Sequence, residues 1–324
     1  MKATDIRTVA VIGAGTMGAG IAGVFARARM RVFLVDRTDD LLARGMAALR
    51  SSQDSLVAAG RLTGTEALAA AERISPVLDL PRACGEADLL LEALPEDIGI
   101  KREMFTRVDR LCPPESLFAS NTSGLSITRL AEATGRPGSM AGMHFWNPPH
   151  IVPLVEVVRG ERTTDETAAL FLDTARLLGK RPILVRRDVP GFVGNRLQFA
   201  VFREALHLLQ KGIATAEDID AAMTAGPGFR YGLLGPLRTA DLGGLDVFHS
   251  ISRYLFAELG AETGPTELLS SLVASGRTGS KSGAGIYEYR GDEAARLVAR
   301  RDRVLLAFLE ALERDTDHGE ESHG

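Results

Sequence analysis

The sequence predicts a doubly wound α/β domain followed by an all-α domain, and three observations carry that expectation. The apolar run Thr8-Val-Ala-Val-Ile12 leads straight into Gly13-Ala-Gly15-Thr-Met-Gly18, then a helical stretch, then a second apolar run ending at Asp36. Strand-like and helical segments alternate as far as Val185, the pattern of a mostly parallel sheet with helices on its faces. Past Arg187-Asp-Val-Pro-Gly191 the apolar spacing turns helical almost throughout. The boundary is therefore set at 187, giving domains 1–187 and 188–324.

Each element has its reason. Thr8–Ile12 is short and apolar, as a buried strand should be. A helix from Met17 to about Ala28 and the strand Arg31–Val35 complete a βαβ unit of about thirty residues. A long helical region runs from Asp40 to about Ile74, interrupted near Gly60-Arg-Leu-Thr63. Strand-like Asp88–Glu92 and Leu117–Ser120 flank a helix around Lys101–Leu111. Two further strands hold His144 and Glu156. A helix from about Asp165 to Leu178 and the strand Pro182–Val185 close the first domain. Helices follow at about 192–211, 216–225, 236–259 and 266–274. Thr215, three residues before Asp218, reads as an N-cap, and Gly226-Pro-Gly228 as a stop. A last charged helix spans about Asp292–Arg314, and residues 315–324 read as a frayed tail.

Composition excludes several function classes. A net charge of −4 argues against a nucleic-acid partner, which favours a basic face. No apolar run reaches the ~18–20 residues of a membrane span. The first strand starts too early to leave room for a signal peptide. Cys84 and Cys112 are too few for a disulfide framework or a structural zinc site, which points to a reducing, cytoplasmic setting and to no metal.

Two constellations carry chemistry. The glycine turn is a dinucleotide fingerprint: Gly13 allows a tight turn, Gly15 lets the backbone approach a pyrophosphate, and Gly18 lets helix and strand pack closely. The helix N-terminus behind it offers unpaired N–H groups to phosphate. Asp36 is placed to bond ribose hydroxyls and repel a 2′-phosphate, which selects NAD over NADP, although Arg37 beside it is suited to that phosphate. The second constellation is His144-Phe-Trp-Asn147-Pro-Pro149 with Glu156 twelve residues after the histidine. Asn-Pro-Pro cannot continue a strand, so the flanking runs can lie side by side with the two ionisable groups facing. Buried groups of this kind need each other, and together they make a general base with its orienting carboxylate.

These motifs, with Glu92-Ala-Leu-Pro-Glu96, Lys101, Ser120-Asn-Thr-Ser123, Pro190-Gly-Phe-Val-Gly-Asn195-Arg and Gly279-Ser-Lys-Ser-Gly283, resemble the 3-hydroxyacyl-CoA dehydrogenase family from residue 7 to about 290. The resemblance implies a Rossmann-type N-terminal domain and a dimerising helical domain in one copy. It implies that His144 takes the proton from a substrate 3-hydroxyl and that Glu156 fixes the imidazole. Ser123 and Asn195 would bond the reacting oxygens, and Asn147 would help hold the histidine and substrate. Thr16, Met17, Ala93, Glu96 and Lys101 would face the cofactor. Other readings stay open: Ser123 as the cap of a helix starting near Ser126, Asn195 as a packing group, and Glu96 with Lys101 as a solvated pair.

Two departures concern the substrate. Ser52 matches a serine of the family's CoA-facing helix, but the lysine that meets the CoA phosphates there is Ala59 here, with Arg44, Arg50 and Arg61 nearby. Gly228-Phe-Arg230-Tyr231 is closer to the lambda-crystallin and L-gulonate 3-dehydrogenase branch. Arg230 could grip a substrate carboxylate or pair with Asp241. The expected activity is NAD-dependent oxidation of an L-3-hydroxyacyl-CoA, with a free 3-hydroxy acid as the alternative substrate.

Overall fold

The computed structural model describes residues 1–320. The first unit comprises Met1–Arg196 with Leu305–Ala307, and the second Leu197–Val304 with the chain from Phe308 onward. The first unit is built on eight strands: β1 (Thr8–Ile12), β2 (Arg31–Val35), β3 (Ile74–Val77), β4 (Leu89–Glu92), β5 (Leu117–Ser120), β6 (Met140–Phe145), β7 (Leu154–Val158) and β8 (Arg181–Val185). They lie in the order β3-β2-β1-β4-β5-β6-β7-β8. Every neighbouring pair is parallel except β6 and β7. This is a Rossmann-type doubly wound sheet, with the strand order reversing between β1 and β4.

Helices α1 (Thr16–Arg27), α2 (Asp39–Ala58), α3 (Gly64–Glu72), α4 (Leu80–Gly85), α5 (Ile98–Asp109), α6 (Ile127–Ala131) and α7 (Asp165–Leu177) accompany the sheet. Two apolar clusters form, as two covered faces require. One packs Phe25, Leu34, Met143 and Phe171, the other Phe33, Phe105, Phe118 and Phe192. β3 and α4 are differences from the expected course. The strand Ile74-Ser-Pro-Val77 carries a proline, which an edge position tolerates, and it pairs only with β2. Asp79 caps α4 by accepting the Arg82 N–H.

The first unit runs beyond residue 187 for a physical reason. Phe192 is buried in the second cluster, and the N–H groups of Val193 and Gly194 both donate to Glu156.

The second unit is helical: α8 (Gly194–Gln210, starting in the first unit), α9 (Ala216–Ala225), α10 (Pro227–Gly243), α11 (Leu245–Leu255), α12 (Glu267–Ala274) and α13 (Glu293–Glu320). Thr215 caps α9 as expected. α10 holds a helix starting at Pro236, as expected, preceded by an unexpected helical stretch from Pro227, since proline suits the first helical position. It is broken at Gly235-Pro236, where Gly235 has φ 71°, and ends at Gly244 with φ 92°. α13 continues through residues 315–320, where a frayed tail was expected, and residues 321–324 lie outside the described residues. Among the described residues no helix is long and apolar enough to cross a membrane, and no metal-binding cluster occurs.

Candidate active site

The glycine turn leaves β1 at its carboxyl end, beside the reversal of strand order where such sheets open a crevice. Gly13 has φ 107°, and a Cβ there would lie 2.6 Å from the Ala93 carbonyl oxygen. A side chain on Gly18 would collide with the Gly13 carbonyl. Around Gly15 the space is open, and no side chain caps the N-terminus of α1, so its first N–H groups are available to phosphate. Asp36, at the end of β2, accepts the Ala14 N–H at 2.8 Å and the Arg37 N–H at 2.7 Å. The carboxylate therefore clamps the turn as well as closing the βαβ unit, and an ionised carboxylate keeps further acceptor sites for ribose hydroxyls. These residues fit NAD.

The His144–Glu156 pair forms where β6 meets β7. Their antiparallel register puts His144 opposite Glu156, and Nδ1 lies 2.8 Å from Oε2. The carboxylate is 0% exposed and the imidazole 5%. Trp146 Nε1 donates to the same oxygen at 3.3 Å, while the Val193 and Gly194 N–H groups donate to Oε1 at 3.0 and 2.9 Å. Burial pushes the Glu156 carboxyl up, but the hydrogen bonds from His144, Gly194 and Val193 and the imidazole's charge outweigh it. The net effect is a pKa below the usual carboxylate value. With Nδ1 held against a carboxylate, Nε2 is the nitrogen left free to accept a proton, and it has no hydrogen-bond partner among the described residues. Rings of Trp146 and Phe192 flank the imidazole at 5.5 and 5.9 Å.

α1 reaches this turn directly. A Cβ on Gly20 would lie 2.5 Å from Pro149 Cγ, so the helix behind the phosphate turn packs against the Asn-Pro-Pro segment. The Asn147–Pro148 peptide is cis.

The remaining expected residues divide. Asn195, at the start of α8, donates to the Ser123 carbonyl at 2.8 Å, so the two are brought together. Ser123 is exposed and does not cap a helix, since Ser126 takes that place by accepting the Arg129 N–H. Glu96 accepts from Thr122 Oγ and from the Ser123 and Gly124 N–H groups. Lys101, read as cofactor-facing or as part of a solvated pair, is 1% exposed and spends its ammonium on Glu92 at 2.6 Å and the Leu94 carbonyl at 3.0 Å. Asn147 is exposed and makes no hydrogen bond among the described residues. The histidine is held by Glu156 instead, because the chain turns away at the prolines. Ser52 bonds back to the Ala48 carbonyl within α2. Arg44 pairs with Asp40 on the same exposed face. Arg230 lies exposed on α10 in the second unit, and neither it nor Asp241 forms an ion pair among the described residues. Sequence reasoning missed the donors on Glu156 from Trp146, Val193 and Gly194, and the buried Glu92.

The model of the 3-hydroxyacyl-CoA dehydrogenase NAD binding domain matches residues 8–189, and that of the family's C-terminal domain matches residues 191–289. The chain belongs to the 3-hydroxyacyl-CoA dehydrogenase family. Like other members it binds NAD and is an NAD-dependent oxidoreductase of hydroxyacyl compounds. It is 35% identical over 308 residues to the 5-formyl-3-hydroxy-2-methylpyridine 4-carboxylate 5-dehydrogenase of Mesorhizobium japonicum, covering 95% of this chain and 99% of that protein. It is 40% identical over 280 residues to the probable 3-hydroxybutyryl-CoA dehydrogenase of Deinococcus radiodurans, covering 86% of this chain and 99% of the relative. A solved structure of a 5-formyl-3-hydroxy-2-methylpyridine 4-carboxylic acid 5-dehydrogenase, described as an NAD+ dependent dismutase, superposes with a TM-score of 0.89 at 35% identity. It covers 95% of this family member and 99% of that chain.

Proposed function

We propose that this family member is an L-3-hydroxyacyl-CoA dehydrogenase in which His144 is the general base. The observation that carries the proposal is the buried His144–Glu156 pair, with Nε2 unpartnered and Nδ1 fixed. Bound NAD would supply the hydride acceptor for the substrate carbon. His144 Nε2 takes the hydroxyl proton as that hydride leaves, and Glu156 stabilises the resulting imidazolium without changing its own protonation. The Ser123 hydroxyl, exposed and without a hydrogen bond among the described residues, is free to donate to the reacting oxygen, and Asn195 keeps its second amide N–H for the same task. Gly13, Gly15, Thr16, Met17 and Gly18 hold the pyrophosphate, and Asp36 the ribose. Ala93 and Glu96 border the same crevice, and Lys101 acts on it through Glu96.

A second reading, a free carboxylate-bearing hydroxy compound, is favoured by two observations. The pyridine-carboxylate relative matches over 95% of the chain, and α2 offers little charge for a CoA phosphate, with Ala59 at its end and Arg44 already paired. NAD reduction by the purified protein, comparing L-3-hydroxybutyryl-CoA with L-gulonate and with NADP in place of NAD, decides between them. Turnover of the ester with NAD supports the first reading. Turnover of the free acid alone replaces it with the second, under which Arg230→Ala raises the KM for the acid.

The protein is further proposed to be a cytoplasmic homodimer. α9 to α12 bury no residue, and Phe229 (77% exposed) and Leu237 (85% exposed) belong to a large apolar surface on the second unit. Both cysteines are free thiols, as a reducing compartment keeps them.

A further inference from the structure

At the carboxyl end of β4, Glu92 is fully buried, in register with Ile12 on β1 and Ser120 on β5. Ile12 is the residue that enters the glycine turn. One carboxylate oxygen of Glu92 accepts the Lys101 ammonium at 2.6 Å and the Leu94 N–H at 2.5 Å, and the other accepts the Ser120 hydroxyl at 2.6 Å. Lys101 lies 3.4 Å from Glu96 Oε2. The other Glu96 oxygen gathers Thr122 Oγ at 2.5 Å, the Ser123 N–H at 2.9 Å and the Gly124 N–H at 3.2 Å. The hydrogen bonds on Glu92 and Glu96, joined by the ion pair between Lys101 and Glu96, thus link the carboxyl end of β4 to the loop that carries Ser123.

Stability alone does not account for this arrangement. Burying an ammonium and a carboxylate forfeits their hydration, and an apolar pair of similar volume commonly serves a core as well or better. What an apolar pair lacks is direction. Glu92 fixes where the ammonium sits, the ammonium fixes one oxygen of Glu96, and the other oxygen fixes two successive loop amides.

We infer that Glu92 is a positioning residue for the reaction, holding Lys101 against Glu96 so that Thr122-Ser123-Gly124 keeps one conformation. The inference rests on the role proposed above for Ser123. Its test does not depend on turnover alone.

The test is amide hydrogen exchange of the Glu92→Gln protein against the parent. Losing the charge that anchors Lys101 should speed exchange at Ser123 and Gly124 by about tenfold, while amides of β7 keep the parent rate. Unchanged exchange at these two amides, or the same acceleration throughout the first unit, overturns the inference. Turnover of L-3-hydroxybutyryl-CoA adds a second readout. Glu92→Gln should lower kcat per folded enzyme by about tenfold, and far less when Ser123→Ala is already present, because the two act as a unit. Full additivity contradicts that coupling. Ser123→Ala with parent turnover removes the role given to Ser123 while leaving the exchange result to judge Glu92. If Glu92→Gln does not fold, the double variant Glu92→Met/Lys101→Met removes the buried ion pair without leaving either charge alone, and is read in the same way.

Discussion

Four donors converge on the Glu156 carboxylate, and their balance against burial decides how the protein answers acid. Desolvation would raise the folded pKa of Glu156, but hydrogen bonds from His144, Gly194 and Val193 overcome it and hold the carboxyl below the usual carboxylate value. A carboxylate depressed in this way contributes stability that is full above its unfolded pKa and is lost as pH falls through the lower, folded one. Melting temperatures from about pH 7 down to about pH 3 should therefore fall more steeply for the parent than for Glu156→Gln. Parallel curves would remove Glu156 from the acid response. The same substitution should lower kcat on the order of 10²–10⁴-fold, because it leaves the imidazolium without its counter-charge. His144 and Glu156 were legible in the sequence because both interrupt apolar strands separated by prolines. The donors on Glu156 were not legible. Backbone N–H groups of Val193 and Gly194 carry no side-chain signal, and they are contributed from a segment thirty-seven and thirty-eight residues away. The burial of Lys101 was not legible either, since a lysine early in a helix has the same sequence appearance whether solvated or buried.

At the scale of elements, two contacts set the geometry on either side of the reaction. α2 lies so close to the glycine turn that a Cβ on Gly45 would come within 2.5 Å of the Ala14 carbonyl oxygen. Gly45→Ala should push the turn and raise the KM for NAD by about tenfold or more, with the hydroxy-substrate KM little changed. An unaltered NAD KM would mean that α2 yields instead. On the other side, the buried Lys180 ammonium bonds the Pro149 and Val152 carbonyls and so pins the turn between β6 and β7. Burial, and secondarily the charge of Arg27, pull Lys180 down from 10.5 to about 7. Between those values the unfolded chain binds the extra proton, so the folded protein gains stability as pH rises. Chemical denaturation of parent and Lys180→Met should show the parent gaining on the variant from pH 7 to pH 10.5. A constant difference across that range would contradict the burial of a charge-shifting lysine. Most elements of this sheet were legible, because βαβ patterning repeats with clear glycine and cap punctuation. β3 went unassigned because Ser75-Pro76 hides its apolar alternation. The start of α10 was missed because Gly226-Pro-Gly reads equally as a stop and as a new beginning.

Over the whole molecule, the reversal of strand order between β1 and β4 brings the glycine turn and Glu92 together at the carboxyl end of the sheet, with Ser120 on the adjoining strand. The change of character near 187 was visible as a switch of apolar period. The first unit nevertheless extends to Arg196, because Glu156 captures the chain beyond that point. The second unit leaves apolar side chains such as Phe229 and Leu237 largely exposed in a single chain. Light scattering on the purified protein should give twice the mass of one chain, and a stable monomer at micromolar concentration would refute the dimer. The central claim is that His144, fixed by Glu156, removes the substrate proton in an NAD-dependent oxidation. The most direct measurement is single-turnover NADH formation by His144→Ala beside the parent, with NADH affinity followed by fluorescence. A loss of about 10²–10⁴-fold in rate with NADH affinity retained is the predicted result. Turnover that survives the substitution would contradict the account.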